Sequence, residues 1–222
     1  MLLAIDTSTS QTGLALYDNY NVFGEYTWNS SLRHTHELAP ALQSLLERCK
    51  KSISEIRVIG VAIGPGSFTS LRVGITFAKG LALARSLPLV GIPTLDIVTR
   101  AVPPTDRKLV AVLQAGRGRL AVVWYEMEEN GWQEQGPAVV MTAEELEGKI
   151  NKPVIICGEL TPEDRHHLAR RFKNVQLASP VQCIRRPALL AEMAWERWEK
   201  GDVDPISSLA PIYLHSTGSV PE

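Results

Sequence analysis

The stretch "LLAIDTSTSQTGLALYD" (Leu2–Asp18) decides the fold, because the chain contains the same object a second time. Leu2-Leu3-Ala4-Ile5 is a buried-strand run, and the turn-prone Asp6-Thr7-Ser8-Thr9-Ser10 ends it. Gly13 opens a second strand, Leu14–Tyr17, and Asp18-Asn19 turns it into a third around Val22 to Trp28. Three consecutive strands joined by short polar turns make a β-meander. In the second half, "LVAVLQAGRGRLAVVWYE" (Leu109–Glu126) repeats the strand, polar turn and strand.

Helices and strands alternate after each copy. Leu38, Leu42, Leu45, Leu46 and Cys49 recur on one helical face, with Pro40 early enough in it to be tolerated. Ser52 to Glu55 lead to a strand over Val58–Ile63, then to a glycine-rich loop and a long apolar helix. The second half continues with the short run Ala138–Met141 and a capping box, Thr142-x-x-Glu145. A strand from Pro153 to Cys157 ends in Gly158. A helix then starts at Thr161-Pro162-Glu163 with an N-cap, a proline at N1 and an acidic first turn. Pro187 to Lys200, closed by Gly201, is the last helix. The pattern predicts two related α/β halves facing each other across a cleft. Pro103-Pro104 marks the boundary between residues 1–105 and 106–222, with a tail after about residue 205 that returns to the first half.

Composition narrows the class. The chain has 222 residues and a formal net charge of −1, so broad coating of nucleic acid is not its business. Cys49, Cys157 and Cys183 are scattered, without CxxC spacing, and read as free core thiols of a reducing compartment. Asp6 interrupts the first apolar run, and no run approaches the roughly 20 residues that span a bilayer. A cytoplasmic, soluble protein is expected.

The loop "IGPGSFTSLRVGITFAKG" (Ile63–Gly80) has the outline of a phosphate cradle. It lacks the Lys and Ser/Thr of a Walker A loop, and Thr69 stands where a dinucleotide fingerprint needs its third glycine. Two readings stay open. Gly64, Gly66 and Ser67 hold an anion at the helix N-terminus, or the glycines permit a tight turn that Ser67, Thr69 or Ser70 caps. The helix from Ser70 to Leu87 is apolar on nearly every side, whereas a surface helix shows a polar face. Gly74, Ala78 and Ala82 form a smooth strip along it, and Gly80 with Ala84 a second. Two interior glycines cost roughly 1 kcal/mol each, so a close neighbour compensates, in another subunit or in the helix's own domain.

Candidate chemistry is thin. Asp6 with Thr7 stands where a two-lobed phosphotransfer fold holds a metal-bound phosphate, and an Asx-turn cap is the other reading of the same residue. Aligning the strands of the two halves places Gln114 opposite Asp6, and a neutral amide is neither a general base nor a good Mg²⁺ anchor. His34 and His36 are two apart at a helix start, and His166 and His167 are adjacent, so neither pair presents two ligands on one helical face. No H-x-x-x-H pair occurs. Arg117, Arg119, Arg165, Arg170 and Arg171 read as phosphate contacts or as solvated charge.

"LLAIDTSTSQTGLALYD", "HTHELAP" (His34–Pro40), "GPGSFTSLRVGITFAKGLALA" (Gly64–Ala84) and "PIYLHS" (Pro211–Ser216) together resemble the TsaB (YeaZ) family. The match covers the first hundred residues well and the second half loosely. The resemblance implies the two-lobed, duplicated actin/Hsp70/sugar-kinase-like (ribonuclease H-like) fold, each lobe a mixed sheet with helices. It implies a non-catalytic partner protein in making the N6-threonylcarbamoyl-adenosine of tRNA, with no catalytic residue, no metal and no cofactor of its own. ATP and Mg would enter only at a site shared in a complex. The implied partners are the catalytic paralogue of the threonylcarbamoyl-transferase complex and its small ATPase, a second copy when alone, and tRNA indirectly, with no membrane.

The association surface carries over to Arg72, Gly74, Ile75, Ala78, Lys79 and Ala82 on one helix and His34, Leu38 and Leu42 on the other. Gly74→Leu is then expected to weaken association while leaving the fold intact. Two departures stand out: Gln114-Ala115-Gly116 replaces the family's Asp-Ala-Arg, and His215 replaces an Arg. The alternative of another class is a phosphotransfer or ATP-hydrolysing enzyme of the same fold, centred on Asp6 and the Gly64–Thr69 loop.

Overall fold

A computed structural model describes residues 1–30, 34–170 and 173–214, so Arg171 and His215 lie outside the described residues. The first sheet begins with the expected meander: β1 (Leu2–Asp6), β2 (Gln11–Tyr17) and β3 (Val22–Asn29), all antiparallel. Helix α1 (His34–Arg48) follows, and β4 (Val58–Gly64) returns parallel to β1. After α2 (Phe68–Arg85), β5 (Leu89–Pro93) adds in parallel and α3 (Thr94–Arg100) closes the run. The order across this sheet is β3-β2-β1-β4-β5.

The second sheet has the same plan. β6 (Lys108–Gln114), β7 (Leu120–Glu128) and β8 (Gly131–Glu134) form its meander, and β9 (Val139–Met141) pairs with β7. Helix α4 (Ala143–Lys149) leads to β10 (Val154–Gly158), and α5 (Pro162–Ala169) leads to β11 (Val175–Leu177). Both β10 and β11 run parallel, giving the order β8-β7-β6-β10-β11. This is the duplicated α/β arrangement the sequence announces, with Asp6 and Gln114 each ending the first strand of its copy.

Helix α6 (Pro187–Glu199) is where the structure departs from the sequence reading. The two compact units are Met1–Ile97 with Arg185–Ile212, and a second built on Val98–Ile184, rather than 1–105 and 106–222. The reason lies in the apolar run at the start of the chain. Leu3 and Ile5 face α1 and α2, packing with Leu38, Leu42, Leu45, Ile75 and Ala78. Leu2 and Ala4 point to the opposite face, where Ala188, Leu190, Ala191 and Ala194 of α6 cover them together with Val58 and Val90. A strand apolar at every position requires cover on both faces. Without α6 the first sheet would expose one whole side, so this helix crosses back to it.

In the second unit Val110, Val112, Val122 and Ile156 pack against Leu146 of α4 and Leu168 of α5. Both helices begin with reciprocal capping boxes, Thr142 with Glu145 and Thr161 with Asp164. β5, α3, β8 and β11 carry no separate signal in the sequence: each is short, and its neighbours hold it in register. Among the described residues no helix is long and apolar enough to cross a membrane. Thr161→Ala removes the acceptor for the Asp164 N–H and is expected to cost about 1 kcal/mol, read as a lowered thermal midpoint by circular dichroism.

Candidate functional site

The turn after β1 is sealed inside the first unit. Asp6, Thr7, Ser8 and Thr9 are all buried. The Ser8 N–H donates to Asp6 Oδ1 at 2.8 Å, the Asx geometry that turns the chain out of the strand. The other carboxylate oxygen, Oδ2, accepts from Arg185 Nε at 2.9 Å. The Arg185 guanidinium is itself 1 % exposed, and its Nη2 donates to Thr9 Oγ1 at 2.7 Å and to the Gln11 carbonyl at 3.0 Å. The Gln11 side chain completes the clamp by accepting the Arg185 backbone N–H at 2.8 Å. A buried carboxylate is stable only when paired and hydrogen-bonded, and here both conditions are met by one residue 179 positions away. Arg185 belongs to no motif and was not singled out from the sequence.

The glycine loop closes over the same turn. The Ser67 N–H donates to the Ser8 carbonyl at 2.7 Å, and the Gly64 N–H to Thr94 Oγ1 at 3.0 Å. Thr94 Oγ1 lies 2.8 Å from Ser8 Oγ, and Thr7 Oγ1 donates to the Ser70 carbonyl at 2.7 Å. Ser67 is the N-cap of α2. At Gly66 a Cβ would overlap the Ser8 carbonyl, and at Gly74 it would overlap Thr7 Oγ1. The candidate binding residues Asp6, Thr7, Gly64, Gly66 and Ser67 are thus brought together, and the Asp6 carboxylate, the Thr7 hydroxyl and the Gly64 and Ser67 N–H groups are hydrogen-bonded within the first unit. Both Asp6 oxygens already accept hydrogen bonds, and the Arg185 guanidinium supplies the counter-charge that a metal ion would otherwise bring to this buried carboxylate.

Helix α2 has two faces. Ser70, Leu71, Gly74, Ile75, Ala78 and Ala82 are buried against the sheet and the turn. Phe68, Arg72, Thr76 and Leu83 are exposed, Phe68 at 52 % and Leu83 at 67 %, and Val73 and Phe77 are half-buried between the two faces. Beside α1 these outer residues frame a groove of about 350 Å³, lined by Thr35, Leu38, Arg72, Val73, Thr76 and Phe77. The Arg72 guanidinium lies 3.7 Å from the Phe68 ring centroid at its rim.

The surface residues expected from the sequence need correction accordingly. His34, Leu38, Leu42, Gly74, Ile75, Ala78 and Ala82 are buried within their own unit; Lys79 is half-buried and Arg72 exposed. Gly74 is small because Thr7 touches the helix there, so Gly74→Leu strikes the core and not an interface. The over-apolar helix has one face for the sheet and a second, part-open one.

In the second unit Gln114 Nε2 donates to Asp164 Oδ2 at 3.1 Å, linking the β6 end to the α5 cap. Arg117, Arg119 and Arg170 are exposed, but Arg165 turns inward and donates to the Ala178 carbonyl at 2.6 Å. His166 is exposed, and His167 pairs with Glu147 of α4. Among the described residues no three His, Cys, Asp or Glu side chains are grouped to hold a metal ion.

Comparison with known proteins bears on the family and the fold. A family model described as TsaD, tRNA N6-adenosine threonylcarbamoyltransferase, matches residues 27–182. The tRNA threonylcarbamoyladenosine biosynthesis protein TsaB of Bacillus subtilis (strain 168) is 33% identical over 218 residues, 96% of this chain and 93% of that protein. The chain belongs to the TsaB family. The solved structure of YeaZ from Pseudomonas aeruginosa superimposes with a TM-score of 0.74 at 21% identity, covering 96% of this chain and 99% of that one. A tRNA N6-adenosine threonylcarbamoyltransferase of Solidesulfovibrio magneticus (strain ATCC 700980 / DSM 13731 / RS-1) is 36% identical over 107 residues, 41% of this chain and 29% of that enzyme.

One more group in this TsaB-family chain is polar and buried. His34 Nδ1 lies 2.9 Å from Thr12 Oγ1, and its Nε2 has no hydrogen-bond partner among the described residues. Burial lowers its pKa, with Glu37 and Asp6 pulling weakly the other way. The unfolded chain therefore takes up this proton first as pH falls. The stability that neutral His34 contributes is complete above the unfolded pKa of about 6.5 and is lost as pH drops through it towards the folded value. Urea unfolding between pH 7 and pH 5 is expected to show falling stability, with a shallower slope in His34→Gln. Arg185→Met leaves Asp6 buried without its counterion and is expected to cost about 3–5 kcal/mol in the same assay, far more than loss of a surface pair.

Proposed function

We propose that this chain is a non-catalytic accessory subunit that binds and activates the threonylcarbamoyl-transferase making N6-threonylcarbamoyl-adenosine at position 37 of tRNA. The Asp6–Arg185 pair carries this reading. The one acidic position that a phosphotransfer enzyme of this fold would use is consumed internally, and its counterpart in the second unit is Gln114. Relatives named as tRNA threonylcarbamoyladenosine biosynthesis proteins support the pathway.

Docking falls to the outer face of α2 and the groove beside α1. Exposed Leu83 and Phe68 and half-buried Val73 and Phe77 give that face apolar area, and burying apolar surface contributes roughly 25 cal/mol per Å². The catalytic paralogue is the partner that suits it. The transferase family matches this chain over residues 27–182, a span that includes both helices, so a similar helix pair on the enzyme would meet this one face to face. A second copy takes the same place when the chain is alone. The small ATPase joins the assembly, and tRNA is reached through the enzyme.

The test charges the exposed face without touching the core. Thr76→Glu combined with Leu83→Glu places two carboxylates on exposed positions, where surface changes usually move stability by less than about 0.5 kcal/mol. Retention of the transferase in pull-down is expected to fall at least tenfold, about 1.4 kcal/mol, and light scattering to report a monomer. A folded double variant that still binds and still dimerises would sink the docking surface. Calorimetry with ATP and Mg²⁺ separates the other class of function: micromolar binding that disappears in Asp6→Asn would make the chain a phosphotransfer enzyme instead.

A further inference from the structure

We propose that Cys157 and Cys183 are a modification site, forming a reversible intramolecular disulfide. Their sulfurs lie 3.9 Å apart although 26 residues separate them in sequence. Cys157 is the penultimate residue of β10 and is fully buried. Cys183 is half-buried in the turn after Ser179, where its N–H donates to the Ser179 carbonyl at 3.1 Å. The two sulfurs are already in contact, and a disulfide requires them to close to about 2.05 Å.

The environment divides the labour between the two sulfurs. Around Cys183 Sγ stand the Cys157 thiol, the Gly158 N–H at 3.4 Å and Arg165 Nη1 at 3.8 Å, three donors that favour the thiolate. As a thiol, Cys183 donates to the Ala178 carbonyl at 3.7 Å. The donated Cys157 thiol, more than the amide and the guanidinium, lowers the Cys183 pKa against the effect of burial. The Cys157 thiol is pushed up, by its bond to Cys183 and then by burial, and it also donates to the Gln182 carbonyl at 3.4 Å. Cys183 is therefore the attacking sulfur and Cys157 the resolving one.

The oxidant is a small aliphatic disulfide. Cys183 thiolate attacks one of its sulfurs, a mixed disulfide forms, and one small thiolate leaves. That thiolate takes the Cys157 proton, and Cys157 sulfur then attacks Cys183 sulfur and expels the second small thiolate. Two protein thiols have lost two electrons, and the small disulfide has become two thiols. The product ties β10 to the turn two residues before Arg185, just ahead of the point where the chain returns to the first unit between Ile184 and Arg185.

Cys49, the remaining cysteine, sits in the first unit with its thiol donated to the Phe23 carbonyl at 3.3 Å, and serves as the internal reference. The full chain is exposed to 2-hydroxyethyl disulfide, unfolded, alkylated with iodoacetamide and read by mass spectrometry. The expected product has lost two hydrogens, accepts alkylation only at Cys49, yields a linked Cys157–Cys183 peptide and regains all its thiols with dithiothreitol. Cys157→Ser is expected to stop at a mixed disulfide of Cys183 with 2-mercaptoethanol. Should that variant not fold, the linked peptide from the unaltered chain decides alone. Three alkylatable thiols after exposure, or an adduct confined to Cys49, would overturn the site.

Discussion

A guanidinium sealed against a carboxylate organises the first unit. Arg185 and Asp6 are both nearly inaccessible, and each is useless to the fold without the other. Removing two charges from water is costly, and their attraction offsets that cost only where every remaining donor finds an acceptor. Here Thr9, the Gln11 carbonyl and the Gln11 side chain supply those contacts. The pair fixes where the returning chain enters, and so where α6 begins, two residues on. It also gives the Asp6 carboxylate a counter-charge from within the first unit.

The glycine loop has its place in the same construction. The sequence pattern offers its amides and hydroxyls to a phosphate, yet the Ser67 N–H bonds to the Ser8 carbonyl, the Gly64 N–H to Thr94 Oγ1, and the Ser67 hydroxyl caps α2. Gly66 and Gly74 let two backbone segments close on Ser8 and Thr7, a contact any side chain would prevent. The start of α2 is thereby held against the turn after β1, while Phe68, Arg72, Thr76 and Leu83 on its outer side stay exposed.

Much of this was legible in advance. The duplicated meander, the helices that follow it, the capping box at Thr142 and the N-cap at Thr161 are local patterns, set by side-chain period and by hydrogen bonds within four residues. The family resemblance rests on equally local blocks. The site was legible only in part. Asp6, Thr7, Gly64, Gly66 and Ser67 do converge, but pattern alone left open whether they face a ligand or each other. Most of the expected interface residues are buried in their own unit, because small and apolar side chains at a four-residue spacing mark a close contact without naming what is contacted. For Gly74 it is Thr7.

The sequence by itself determined the two α/β copies, the missing acid at Gln114 and the family. Only the tertiary structure decided that Arg185 neutralises Asp6, that α6 covers the first sheet, and that Cys157 meets Cys183. The reason is range. Propensity, caps and periodicity act over a few residues, whereas a buried ion pair across 179 positions or a thiol pair across 26 leaves no local trace. Such contacts exist only once the sheets have brought distant segments together, and they close an apparent phosphate loop onto the turn after β1.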